Sequence, residues 1–381
     1  MENQMLGHMV LASGGTGGHV FPARALAAEL LDRGYKVTLM TDSRGEVYEK
    51  LFPGVSILQV NSASPSVGGL LGKFKAAFKL GIGVLQSLIA LRKIKPAAVI
   101  GFGGYPSMPP AFAASLLGVP VILHEQNAIL GRVNRLLAGR ATAIATSFVN
   151  TEATERNLVR KMYHTGNPVR KEIRELFGSA YPNIQVAEKF RLLITGGSQG
   201  ATVLSDVVPE AIAALPTDLQ KKLEITQQCR PEDLDRVSRV YENTEVETNL
   251  SAFFENMPEL LSGCHLAIMR SGASTMAELA VAGRPAILVP YKYAMDNHQE
   301  RNAQTAVERG AAVLISQDEF TVEKLSEILI DLLSHPEKLK SMAMAVTSCA
   351  EINAAGNLAD LVEEKAKNGK KASHVDGKVI A

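Results

Sequence analysis

Residues 9–21, MVLASGGTGGHVF, decide how the chain reads. Met9 to Ala12 form a short apolar run of the kind that makes a buried strand, and Pro22 to Leu31, PARALAAELL, has the composition and spacing of a helix. Between them Gly14, Gly15, Gly17 and Gly18 let the backbone take positive φ and come close to a ligand, and the free N–H groups at a helix start suit a phosphate. His19 stands at the mouth of that turn. A turn of this kind also serves plain strand–helix packing. The dinucleotide fingerprint fails, because Val20 occupies the third-glycine position counted from Gly15. The P-loop fails too: Gly72-Lys73 is followed by Phe74 where Ser or Thr is required.

The device returns at Arg191, where RLLITGGSQGATVL repeats strand, glycine turn and helix start. Two halves opening the same way indicate an α/β protein of two doubly wound, Rossmann-like parallel-sheet domains. At 381 residues and 46% hydrophobic content the chain is long enough for two cores. Gly166-Asn167-Pro168-Val169-Arg170 breaks the strand–helix rhythm and reads as the link, giving domains of 1–166 and 167–351. The balance of 40 basic and 39 acidic residues, a formal charge of +1, gives no bulk attraction to nucleic acid. Cys229, Cys264 and Cys349 lie far apart and read as core residues of a protein from a reducing compartment. No secretory leader precedes the first strand, and no run of about 18 uncharged apolar residues suggests a membrane span.

Several stretches carry chemistry or its imitation. Residues 67–95 space Leu70, Leu71, Phe74, Phe78, Ile82, Leu85 and Ile89 at three to four residues, with Lys73, Lys75, Lys79, Arg92, Lys93 and Lys95 at the flanks. That pattern fits a core-facing helix with solvated lysines, or a basic surface for an anionic bilayer; five glycines weaken it as a helix interior. A second glycine turn, GFGGYPS, holds Gly103, Gly104 and Tyr105. His124-Glu125-Gln126-Asn127 follows an apolar run at a strand's carboxyl end, where open parallel sheets build sites; the group is either catalytic or a structural hydrogen-bond cluster. Gly196-Gly197-Ser198-Gln199-Gly200 also satisfies the G-x-S-x-G elbow of serine hydrolases, with His265 or His298 as nominal base, but an elbow leaves the N-terminal copy unexplained. Asp233-Leu234-Asp235 imitates a metal-binding pair, yet helical spacing turns the two side chains to different faces, so a solvated helix face is expected. In LAIMRSGASTMAELAVAGRPAILVPY, residues 266–291, Ser274 and Thr275 start a helix whose free N–H groups suit an anion, and Glu278 lies one turn in, within reach of sugar hydroxyls.

Taken in order, GGTGGHVFPA, GFGGYPS, HEQNA, GNPVR, GGSQGA, RSGASTMAEL, GRPAILVPY and DNHQ resemble the MurG family of peptidoglycan glycosyltransferases, over roughly Met9 to Asp360. The resemblance implies a GT-B fold, two Rossmann-like domains facing across a cleft, with a C-terminal helix (about 352–367) returning to the first domain and a disordered tail at 368–381. It implies inverting transfer of N-acetylglucosamine from UDP-N-acetylglucosamine to the 4-hydroxyl of the muramoyl residue of a lipid-linked muramoyl pentapeptide, with no cofactor and no metal. The donor would meet Thr16, Gly17, Gly18, Asn127, Arg170, Ser198 and Phe254. Ala273, Ser274, Thr275, Met276, Ala277, Glu278 and Gln299 would complete its site, with Glu278 on the ribose. Gly15, Gly103, Gly104 and Tyr105 would hold the acceptor diphosphate. Residues 67–95 coincide with the family's membrane-contacting surface, so the expected location is the cytoplasmic face of a bacterial membrane, with cell-wall synthesis or division proteins as partners. Inversion needs one base; His19 is the first choice, because an imidazole titrates near neutral pH, and Glu125 is the reserve.

Overall fold

The computed structural model describes residues 6–43, 48–63, 69–152, 155–184, 189–197 and 200–376. The chain divides into two units, Met1–Arg170 with Asn353–Ala381, and Lys171–Ile352, against an expected break at 166/167.

In the first unit the strands are β1 (His8–Ala12), β2 (Lys36–Thr41), β3 (Ser56–Gln59), β4 (Ala98–Gly101), β5 (Val121–Glu125), β6 (Ala143–Thr146) and β7 (Met162–His164). They form one parallel sheet in the order β3-β2-β1-β4-β5-β6-β7. Both faces are covered, so β1 reads as continuous apolar sequence: Met9 and Leu11 enter one core cluster, Val10 and Ala12 another. The chain winds outward through β2 and β3, then crosses back to β4 beside β1, making a topological switch point there. The two strands end in register, Ala12 opposite Gly101.

Helices α1 (Gly17–Asp32), α2 (Gly69–Ile94), α3 (Gly104–Leu116) and α4 (Arg132–Ala138) flank this sheet. Two of them correct the expectation. Helix α1 starts inside the glycine turn rather than at Pro22, so that proline lies within the helix and its missing N–H leaves one backbone bond unmade. Helix α2 forms in spite of its glycines, and Gly83 is required where it lies: a Cβ there would sit 1.9 Å from the Asn61 carbonyl oxygen. Residues 64–68 precede it outside the described residues.

The second unit repeats the plan with β8 (Phe190–Thr195), β9 (Leu223–Gln228), β10 (Glu247–Ser251), β11 (Leu266–Met269), β12 (Ala286–Leu288) and β13 (Ala312–Leu314). Their order is β10-β9-β8-β11-β12-β13, all parallel, with the switch point between β8 and β11 and Thr195 opposite Met269. Its longer helices are α5 (Thr202–Ala213), α6 (Leu234–Tyr241), α7 (Met257–Gly263), α8 (Ala273–Ala282), α9 (His298–Glu308), α10 (Val322–Ser334) and α11 (Pro336–Thr347). Helix α12 (Ala354–Asp376) belongs to the first unit, where Leu358, Leu361 and Val362 join the core beside Leu26 and Leu30 of α1. Arg33 at the end of α1 fastens it, donating to Asp360 at 2.6 Å, Glu363 at 3.1 Å and the Gly356 carbonyl at 3.3 Å. The helix runs on to Asp376, past the expected end near residue 367; residues 377–381 lie outside the described residues.

Candidate functional site

At the first switch point two helices begin where two strands end. In α1 the first intrahelical donors are His19 and Val20, both to the Thr16 carbonyl, which leaves the N–H groups of Gly17 and Gly18 ahead of them. Helix α3 begins at Gly104 behind Gly103, so Gly104 and Tyr105 stand in the same relation. Gly103 and Gly104 have φ of +80° and +68°, and Cβ atoms there would lie 3.4 Å and 3.3 Å from the His19 ring. The imidazole therefore rests on the second glycine turn, and the two turns singled out in the sequence, Gly15 included, meet at this sheet edge. Ser13 Oγ donates to the His19 carbonyl at 2.9 Å and fixes the backbone that carries the ring. Roughly half a positive charge sits at each helix start, worth about 0.3–1 kcal/mol toward an anion and up to ~2 in a partly buried setting.

His124 and Glu125 lie inside β5, not beyond its end, and both are buried. Glu125, 2% exposed, accepts from Asn127 N–H at 3.0 Å, Gly131 N–H at 2.8 Å and the Asn134 amide at 2.8 Å. The Asn127 amide adds a further bond at 3.3 Å. With both oxygens engaged, Glu125 shapes the loop from Asn127 to Gly131 and presents no idle lone pair to a substrate. Burial pushes His124 down to about 4, so it is neutral at pH 7; Nε2 faces the Gly166 carbonyl at 3.2 Å and Nδ1 the Gln126 amide at 2.9 Å. Arg170 closes this unit with its guanidinium 5.1 Å from the centre of the Phe21 ring, one turn into α1.

In the second unit β11 runs into Arg270, Ser271 and Gly272, and α8 opens at Ala273. The first intrahelical bond there is Met276 N–H to the Gly272 carbonyl at 3.0 Å, leaving the N–H groups of Ala273, Ser274 and Thr275 ahead of it. Ala273 and Met276 bury their side chains, so they offer backbone and packing; Ser274, Thr275, Ala277 and Glu278 are half-buried. Ser274 Oγ is a buried atom with no hydrogen-bond partner among the described residues, a cost of about 1–3 kcal/mol unless a ligand supplies one. Gln299 accepts from Tyr291 N–H at 2.8 Å through its side chain, while its carbonyl accepts from Ser271 Oγ at 2.8 Å. Phe254 is half-buried in the loop after β10. Ser198 lies outside the described residues.

Three positioning groups were not singled out from the sequence. Arg270 donates to the Val289 and Pro290 carbonyls at 3.0 and 2.9 Å and lies over Tyr291; burial pulls it down to about 10, so it stays a cation at neutral pH. Asn302 donates to the Ser271 carbonyl at 3.1 Å, tying α9 to the turn before α8. Gln228, ending β9, accepts from Gly196 N–H and donates to the Ala252 carbonyl, both at 3.2 Å, so one amide links the glycine turn to the loop bearing Phe254. The RSGAST and DNHQERN stretches held the first two. Nothing local marked Gln228.

The imitations resolve physically. Asp233 is buried and accepts from Arg236 at 2.9 Å, which corrects the expectation of a solvated face for that residue, while Asp235 is exposed as expected. His265, nominal base of a hydrolase, is buried against Phe190; its Nδ1 accepts from Arg191 N–H at 2.9 Å, and burial takes it down to about 4. His298 turns Nδ1 to the Met295 carbonyl at 2.8 Å.

Helix α2 corrects the core-facing reading of its pattern. Ala76, Gly83, Ser87 and Leu91 are buried on one side, while Phe74 (73% exposed), Phe78 (72%), Leu85 and Ile89 share an outward arc of ~80° with Ile82. Lys75, Lys79, Arg92 and Lys93 are exposed around that stripe. The side chains of Leu70, Leu71 and Lys73 lie outside the described residues. By length and composition Phe74–Ile94 suffices to cross a membrane, contrary to the sequence expectation, but its inner side is used in the domain core.

Comparison with known proteins agrees with this architecture. The glycosyltransferase family 28 N-terminal domain matches residues 9–146, and the C-terminal domain of the same family matches residues 191–362. A protein of Paramagnetospirillum magneticum named UDP-N-acetylglucosamine–N-acetylmuramyl-(pentapeptide) pyrophosphoryl-undecaprenol N-acetylglucosamine transferase is 48% identical, over 93% of this chain and 95% of its own. A protein of the same name from Caulobacter vibrioides is 45% identical over 94% of this chain and 99% of its own. Among solved structures, Acinetobacter baumannii MurG has a TM-score of 0.76 at 29% identity, covering 94% of this chain and 99% of that one.

Proposed function

The chain belongs to glycosyltransferase family 28, and from that premise we propose that it transfers N-acetylglucosamine from UDP-N-acetylglucosamine to the 4-hydroxyl of a lipid-linked muramoyl pentapeptide. The observation that carries this reading is the pair of switch points, each offering unbonded helix N–H groups to a diphosphate, in a chain 45–48% identical to relatives named for this transfer. The donor is bound by α8: Ala273, Ser274 and Thr275 N–H groups and Ser274 Oγ receive the diphosphate, Glu278 the ribose, and Phe254 and Gln299 the base side. Ser198 adds to the diphosphate. Gly15, Gly103, Gly104 and Tyr105 receive the acceptor's diphosphate.

The chemistry is a single displacement. His19 takes the proton of the acceptor hydroxyl, the oxygen forms its bond to the anomeric carbon on the face opposite UDP, and the C–O bond to UDP breaks with its electron pair on the β-phosphate. One displacement inverts the anomeric centre. Glu125, saturated by its loop, positions Asn127 instead of serving as base. The test is to give the purified protein UDP-N-acetylglucosamine and a lipid-linked muramyl peptide and to measure released UDP; no release would overturn the reading.

The exposed face of α2 rests on an anionic bilayer, which places the enzyme peripherally at the membrane where a lipid-linked acceptor resides. Each phenylalanine buried in the interface contributes about 1.5–3 kcal/mol. Phe74→Asp with Phe78→Asp should cut binding to phosphatidylglycerol vesicles by more than about 100-fold in a co-sedimentation assay. Turnover of a water-soluble short-chain acceptor should hold, and undiminished vesicle binding would reject the face.

A further inference from the structure

The Gln126 amide stands between His19 and the interior of the first unit. Its Oε1 lies 3.1 Å from His19 Nδ1. Its Nε2 faces the Phe102 carbonyl at 3.0 Å, the His124 carbonyl at 3.2 Å and His124 Nδ1 at 2.9 Å. Carbonyl oxygens only accept, so the edge toward Phe102 and His124 must be the NH2 group and the edge toward His19 must be the oxygen; a flipped amide would set acceptor against acceptor. An amide oxygen cannot donate. Nδ1 of His19 therefore carries the proton in this bond, and in the neutral ring the lone pair falls on Nε2.

The second histidine obeys the same logic. The Gly166 carbonyl, 3.2 Å from His124 Nε2, can only accept, so Nε2 bears the hydrogen. Burial keeps that ring neutral, which leaves Nδ1 as the acceptor the Gln126 NH2 group faces. The chain from the Gly166 carbonyl through His124 and Gln126 to His19 thus has one self-consistent proton arrangement. Both interior members are buried, at 0% and 2% exposure, and the His19 ring lies beside Gly103 and Gly104, close enough that a Cβ there would come within 3.4 Å and 3.3 Å of it.

We propose that Gln126, backed by His124, is a positioning residue that holds neutral His19 as its Nδ1–H tautomer and so aims the Nε2 lone pair at the incoming hydroxyl. The proposal rests on the reading of His19 as the base. In water a histidine side chain favours the opposite tautomer, Nε2–H, which has no lone pair where the acceptor proton must go. A neutral amide corrects the tautomer without placing a second charge beside the diphosphate site. The HEQN stretch then has two tasks: Glu125 folds the loop, and the residues on either side of it orient the base.

The test reads the tautomer directly. Protein labelled with 15N-histidine is examined by two-bond proton–nitrogen correlation at about pH 8, where an ordinary imidazole is neutral, and the His19 signals are identified by their loss in His19→Ala. In the native protein Nδ1 should appear protonated and Nε2 unprotonated. Gln126→Leu should move His19 toward Nε2–H and lower kcat about tenfold or more, short of the 10²–10⁴ expected for removing the base, with the KM for the donor within about twofold. A native spectrum showing Nε2–H, or a Gln126→Leu protein with unchanged tautomer and kcat, would overturn the proposal. Full turnover by His19→Ala would instead overturn the base reading, on which the native spectrum does not depend.

Discussion

The two switch points are built alike and equipped differently. Between β1 and β4 the glycine turns leave space that an imidazole fills, and its Nδ1 meets a buried amide at 3.1 Å. Between β8 and β11 no titratable ring stands at the helix starts among the described residues; α8 offers backbone N–H groups, a buried hydroxyl and, one turn on, Glu278. In the proposed reading the same backbone device serves a proton transfer in one unit and an anion cradle in the other. Glycosyl transfer asks for one of each: the attacking oxygen must lose a proton, and the leaving diphosphate must be stabilised as charge develops.

The largest expected effect falls on the first unit alone. His19→Ala should lower kcat by ~10²–10⁴ with donor and acceptor saturating, while UDP binding by calorimetry stays the same. Near-normal turnover would erase the contrast between the units. On the other side, Glu278→Gln should raise the KM for UDP-N-acetylglucosamine by roughly 10- to 100-fold, the value of a hydrogen bond to a charged group, with kcat and the acceptor KM little changed. A fall in kcat at unchanged KM would move Glu278 from ribose binding into the chemistry.

The smallest effect should be common to both. Each unit buries one histidine whose folded value is lowered from 6.5 to about 4, His124 in β5 and His265 just before β11. A lowered value means that the unfolded chain binds the proton first, so stability is complete above pH 6.5 and declines as pH falls toward 4. From pH 7 to pH 5 each group should remove about 2 kcal/mol, read as lower amide protection factors in β5 and β11 once the intrinsic pH dependence of exchange is divided out. Loss in one unit alone would show that the two histidines are not equivalent, and a rise in protection would overturn the prediction.

Much of this was legible in the chain. The strand–glycine–helix repeat at Met9 and Arg191 announced two parallel-sheet units, because glycine content and apolar runs act over a few residues and survive in any context. His19, Ser274 and Glu278 could be nominated for the same reason: each sits at a fixed short distance from a helix start. Less visible was α2, where one helix serves two environments. Its inner face meets the domain through Gly83, Ser87 and Leu91 while Phe74, Phe78 and Leu85 face outward, and a single apolar periodicity cannot report both.

By itself, then, the sequence determined the doubly wound architecture, the two glycine turns and the family to which their order belongs. Tertiary structure alone decided what HEQN does. Glu125, the nominal reserve base, is saturated by Asn127, Gly131 and Asn134, and Gln126, named in the sequence only as one of four polar residues, takes hold of a histidine 107 positions away. The physical reason is that hydrogen-bond direction is set by which acceptors converge on a buried group, and the carbonyls of Phe102, His124 and Gly166 come together only when β4, β5 and the segment after β7 are side by side.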